Sequence, residues 1–233
     1  MNARGKAGQA WFILPLGPPR ETDLRPLRLP GVFAFLANGC LLVLELVAGR
    51  ILAPEVGVSL DTWTAVIGVV LAGLVLGNWL GGALADRRPG RSVLSLLFLA
   101  SAGAAALVLV LQSSLDTIAA PFSWPTILQV TWLTTIVFFL PSLLIGTITP
   151  MIVKLSLSSL EATGRVVGRI RAAAELGGIA GVFLTGYVLI EAFGTRSIVG
   201  TVAIMLAVLG VLSNPLWALA ASRVRGREVE AES

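Results

Sequence analysis

Six long apolar stretches, separated by short polar ones, dominate the chain. They run over about 30–52, 62–85, 92–112, 126–149, 172–193 and 197–220. Each holds roughly 20 apolar or small residues, the length a helix needs to cross the hydrocarbon of a bilayer. The pattern predicts an all-α integral membrane protein with a six-helix domain over 30–221, between polar tails at 1–29 and 222–233. Prolines punctuate it. Pro30 opens the first span and Ala53-Pro54 ends it. Pro141 predicts a kink in the fourth span, because it removes a backbone hydrogen bond, and Pro150 closes that span. Asn214-Pro215 interrupts the sixth. Residues 151–171 are less apolar, and Glu161, Arg165 and Arg169 fall four apart on one helix face. That spacing predicts an amphipathic surface helix running into the fifth span. In the N-terminal tail, the apolar patch from Ala10 to Leu14 is too short to span and lacks a small-residue cleavage site.

Composition strengthens this reading. The chain is 56% hydrophobic and 13% charged, with mean hydropathy +0.89, whereas a soluble domain carries about 25% charged residues. Cys40 is the single cysteine and lies inside an apolar run, which excludes a disulfide framework. No histidine is present, so histidine proton chemistry is excluded and transition-metal ligands are nearly absent. The net charge of +4 reflects orientation rather than nucleic-acid binding. Of the 17 Lys and Arg residues, all but Arg50 and Arg196 fall on one side of the predicted topology. By the positive-inside rule that side, with both termini, is cytoplasmic, in a multi-pass cell-membrane protein.

Inside the spans, small residues and a few polar ones carry the remaining information. Gly73, Gly77 and Gly81 recur every four residues, so they lie on one helix face and admit a second helix closely, within the chain or from another copy. Ala173, Gly177 and Gly181 make a similar stripe in the fifth span. Glu45 sits at membrane depth, where an ionisable group costs about 2.5–3.5 kcal/mol on insertion scales and needs a partner or a cavity. Arg50 lies about 140° around the helix, so it is a poor partner. Glu45 is therefore either a structural bond to another helix or a site for a cation, and a bound cation would be released on acidification as the carboxylate protonates. Trp79 and Trp132 lie deep enough to line such a site by cation–π attraction. Glu175, a further candidate ligand, can pair with Arg171 one turn earlier. Trp63, Trp124 and Trp217 sit near helix ends as interface anchors do. Thr131, Thr134 and Thr135 offer hydrogen bonds within the bundle. No P-loop, histidine-bearing motif or activated nucleophile is present, so no catalytic residue, cofactor or metal is assigned.

Two resemblances follow from quoted stretches. Gly82-Ala-Leu-Ala-Asp86-Arg87-Arg88-Pro89-Gly90-Arg91 resembles the loop between helices two and three of major facilitator transporters. The resemblance implies that Asp86, Arg87 and Arg91 serve conformational change, and that six spans form one half of such a transporter. Pro89 makes the turn one residue longer than the family's pattern. The second resemblance covers most of residues 33–200. Glu45-Leu-Val-Ala-Gly-Arg50, Gly77-Asn-Trp-Leu-Gly81-Gly82, Leu140-Pro141 through Thr149-Pro150, and Gly164-Arg165-Val-Val-Gly168-Arg169 are similar to the membrane region of spermidine-synthase-like proteins. In that family a soluble aminopropyltransferase domain usually follows. Here thirteen residues follow Ala220, so the expectation is a non-enzymatic module. It would bind or move polyamines or other small cations as a homodimer. The alternatives are an accessory subunit of a larger membrane complex and an anchor for a separate soluble synthase.

Overall fold

The computed structural model of the protein describes residues 29–119, 124–157 and 163–214. Helix α1 covers Pro30–Val56, α2 Leu60–Arg87 and α3 Arg91–Leu111, the last tightening into a 3₁₀ turn over Gln112–Ser114. A short α4 follows at Leu115–Ala119. Then come α5 over Thr126–Ser156, α6 over Thr163–Ala192 and α7 over Thr195–Ser213. Six of these seven, all but α4, are long and apolar enough to cross a membrane. There is no strand among the described residues. Because the six alternate in direction, one end of the bundle gathers Pro30, the Arg88–Gly90 turn, Ser156, Thr163 and Ser213. We call this the turn end; the opposite one is the far end.

Local chemistry sets the helix ends. Pro30 stands in the first turn of α1, where its missing N–H costs nothing. Gly57, at φ +76°, terminates α1 by donating its N–H to the Ala53 carbonyl at 2.9 Å. Ser59 then caps α2 by accepting from the Thr62 N–H at 3.2 Å, and the Thr62 hydroxyl donates back to the Gly57 carbonyl at 2.9 Å. The connection between the first two spans is thus a self-bonded corner.

The prolines act differently from the expectation. Pro54 lies inside α1, which runs on to Val56, and Pro150 lies inside α5, which continues to Ser156. An interior proline costs about 3 kcal/mol. Beyond Pro150, however, Met151, Ile152 and Leu155 are buried in the core, each worth about 1.5–3 kcal/mol. Burial wins, and the helix continues. At Pro141 the chain widens to a π-helical turn over Thr135–Phe139, which includes Val137, whose carbonyl the proline ring would otherwise strike. A second π-helical stretch, Thr185–Leu189, interrupts α6.

The stretch 151–171 divides between two spans. Its first six residues complete α5 instead of lying on the surface, whereas from Thr163 a helix with Arg165 and Arg169 exposed runs into the fifth span as expected. Glu161 of the expected charged row lies outside the described residues. The described helix of the sixth span ends at Ser213, since Asn214 precedes Pro215 and adopts extended backbone, φ −68° and ψ 129°, and the expected stretch 215–220 lies outside the described residues. The two tails and Trp217 also lie outside the described residues.

Packing is between distant spans. The most extensive helix contacts join α2 to α5, α1 to α6 and α3 to α7, with α3–α5 and α1–α5 next. The core between them holds Leu41, Leu52, Leu94, Phe98, Phe138 and Ile148, all under 2% exposed. Phe33 tilts against Phe98 with ring centroids 5.9 Å apart.

Candidate functional site

The small-residue stripes mark where backbones touch. A Cβ added at Gly77 would lie on the Leu143 carbonyl, and one at Gly81 would sit 2.6 Å from Thr147 Cα. At Gly73 it would come within 2.9 Å of Ser142 Cβ. The first stripe is therefore filled by α5 of the same chain, so it offers no face to a second copy. The second stripe is filled likewise by α1. Gly177 abuts the Phe35 backbone, and a Cβ at Gly181 would meet the Gly39 carbonyl at 2.6 Å.

These two interfaces are one arrangement used twice. Gly73, Gly77 and Gly81 meet Phe139, Leu143 and Thr147, respectively. Ala173, Gly177 and Gly181, shifted by 100 residues, meet Gly31, Phe35 and Gly39, which precede those three partners by 108 residues. The correspondence in position extends beyond the stripes, with a change of chemistry. The Asn38 amide donates to the Ala174 carbonyl at 2.8 Å. Under the same shifts Asn38 stands where Gly146 does, and Gly146 faces the carbonyl of Leu74, the counterpart of Ala174. The first two spans are thus related to the fourth and fifth, with opposite direction in the bundle.

One correspondence breaks down chemically. At the turn end, Lys154 Nζ donates to Asp86 Oδ1 at 2.7 Å, tying α5 to α2. The equivalent positions near the far end are Leu46 and Gly186, where Leu46 Cδ2 lies 3.9 Å from a Cβ built on Gly186. One end of the duplicated arrangement is latched by charge and the other by an apolar contact. Sequence reasoning singled out Asp86 but not Lys154, because nothing along the chain shows which helix faces the turn. Near the latch, Arg87 is exposed, Arg91 Nε donates to the Ser213 carbonyl at 3.2 Å, and Arg88 buries Nη1 without a partner among the described residues.

Glu45 lies half-buried in the middle of α1, with Val43, Leu44 and Val47 turned into the core beside it. It makes no hydrogen bond or ion pair among the described residues, and Arg50 is exposed on the same helix. The other candidate residues do not gather around it. Trp79 is 71% exposed on α2, about 12 Å from the turn end by helical rise. Trp132 is near the far end of α5, in edge contact with Trp124 at 6.4 Å. Glu175 pairs with Arg171 at 3.6 Å in the turn-end half of α6. Gly177 is level with Phe35, so Glu175 stands more than three helical turns from Glu45. Thr131, Thr134 and Thr135 spend their hydroxyls on carbonyls one turn back in their own helix, at 2.7 Å each. No known protein family, curated protein or solved structure compared with the chain matches it. Among the described residues no cluster of His, Cys, Asp or Glu could hold a metal ion.

Proposed function

We propose that the chain is a non-enzymatic membrane module that binds or moves a small organic cation, a polyamine for example, with Glu45 as the neutralising carboxylate. The observation that carries this reading is the unpartnered acid at mid-span. A carboxylate held at that depth with no bond among the described residues is poised for a cation or a partner molecule. The duplicated, oppositely directed arrangement supports a transporter-like role, since transporters of inverted repeats place substrate sites near the bilayer midplane at the repeat interface. The resemblance of the Asp86–Arg91 turn to the major facilitator loop points the same way, with Asp86–Lys154 as the contact to be broken and remade. In this reading the turn end, with both tails, is cytoplasmic.

Glu45→Gln keeps the shape and removes the charge. Spermidine binding by the full chain in detergent should fall at least about tenfold, equivalent to about 1.4 kcal/mol, with thermal stability unchanged. A folded Glu45→Gln protein that binds spermidine as tightly as the parent overturns the assignment. The pure chain should also show no aminopropyltransferase turnover.

A second reading, an accessory subunit of a larger membrane assembly, draws on the apolar face of α6. Leu176, Ile179, Phe183 and Tyr187 are all exposed there, with Phe183 and Tyr187 stacked at 5.8 Å. A stable partner co-purifying from native membranes, and lost in a Phe183→Ala/Tyr187→Ala variant, would favour it.

A further inference from the structure

Asn38 and Glu45 stand seven residues apart in α1, and both are partly buried. That spacing is nearly two full turns, so the pair lies within about 20° on one side of the helix and about 10 Å apart along it. Leu42 lies between them and Gly49 one turn beyond, the four falling within about 60° of one another. Neighbouring helices fix where this stripe faces. On one side it follows α6, where the Asn38 amide donates to the Ala174 carbonyl at 2.8 Å and a Cβ added at Gly178 would meet Leu42 Cδ2 at 3.4 Å. At Gly49 it meets α2, whose Trp63 ring lies 3.0 Å from the position a Cβ would take. The stripe is therefore the flank of α1 between α2 and α6, and Trp63 stands across it one turn past Glu45. A ligand anchored on Glu45 extends the other way, over Leu42 to Asn38.

The two polar groups ask for different partners. Glu45 supplies the one negative charge of the stripe and has no bond among the described residues. Asn38 spends its Nδ2 on Ala174, a bond that fixes which way the amide points. Its Oδ1 is left as an acceptor with no hydrogen bond among the described residues. That oxygen requires a donor, and charge balance selects a neutral one. One carboxylate neutralises one ammonium, and a second positive charge set against a neutral amide at membrane depth weakens binding by about a hundredfold.

We propose that Asn38 is the specificity-determining residue of the Glu45 site, and that the ligand is a monocation. It is an amine carrying a hydroxyl or amide N–H at the other end of an apolar stem about 10 Å long. The proposal rests on the cation reading above and narrows it. Spermidine binds, and a singly charged amine of similar reach binds more tightly.

The test is titration calorimetry of the full chain in detergent with four amines. These are 7-aminoheptan-1-ol; 1,7-diaminoheptane, with a second charge; heptylamine, without the donor; and 3-aminopropan-1-ol, too short to reach both groups. The long amino alcohol should bind the parent at least about tenfold more tightly than each of the others. Asn38→Leu should abolish its advantage over heptylamine while leaving heptylamine unchanged, a split that a merely structural Asn38 does not produce. The parent's ranking needs no variant, so it decides even where Asn38→Leu fails to fold. Glu45→Gln separates the two levels of the argument. If that folded variant binds every amine as the parent does, the cation reading falls and the proposal with it. If it weakens them all, the cation reading stands, and a parent that does not rank the long amino alcohol first, or a folded Asn38→Leu that still does, overturns the proposal alone.

Discussion

At the scale of single residues, glycines with the same chemistry have opposite consequences. Gly77 lies against the α5 backbone, whereas Gly68, two and a half turns earlier on α2, has nothing within 4 Å of the position a Cβ would take. Gly77→Leu should therefore be disruptive. Overpacking a core costs about 1–3 kcal/mol when side chains can move, and here the obstacle is main chain, so the loss should lie at the upper end or beyond. Gly68→Leu should leave the melting temperature in detergent nearly unchanged. Equal losses in the two variants would show that helix flexibility, not contact, sets the effect. The stripe itself was legible, because small residues four apart declare a face. Its partner was not, since Leu143 and Thr147 carry no mark of being met. Glu45 was legible for another reason: a charge among apolar neighbours needs no tertiary information to stand out.

At the scale of elements, the helices follow burial more closely than punctuation. Pro150 and Pro54 were read as stops because the cost of an interior proline is local and visible. The burial of Met151, Ile152 and Leu155 that offsets it depends on helices far away in the chain. The same blindness hid Lys154, which reaches Asp86 only because α5 continues past Pro150. Both partners of that ion pair are substantially exposed, 41% and 73% for the side chains, so its effect on stability should be small. A double-mutant cycle of Asp86→Asn and Lys154→Gln, read by thermal unfolding, should give a coupling below about 1 kcal/mol that shrinks in high salt. A coupling near 3 kcal/mol would place the pair out of solvent and make it a structural clamp. Exchanging the two charges, Asp86→Lys with Lys154→Asp, should restore whatever function either single change removes.

The six spans and their order followed from hydropathy alone, but the pairing of first with fifth and second with fourth is a property of the whole molecule. The repeat at 73/77/81 and 173/177/181 was its one trace in the sequence. Since each glycine interface joins one half of the chain to the other, the halves should be mutually dependent. Co-expressed fragments divided between Ala119 and Trp124 should co-purify as a folded complex, while either alone should be degraded or aggregate. A stable, monodisperse first half by size-exclusion chromatography would show that the interfaces are dispensable.

That pairing also governs the birth of the protein. Asn38 and Ala174 are bonded across 136 residues of chain, and ribosomes add roughly 5–20 residues per second. The first span therefore waits on the order of ten seconds in or beside the insertion machinery before the helix that covers its glycine face exists. Throughout that interval the bare Gly31–Phe35–Gly39 face, the Asn38 amide and Glu45 are all exposed to lipid or to a chaperone. A nascent chain of this design is most vulnerable after the fourth span has emerged and before the fifth. An insertase or quality-control protease that recognises polar groups within the membrane would find its target in that window.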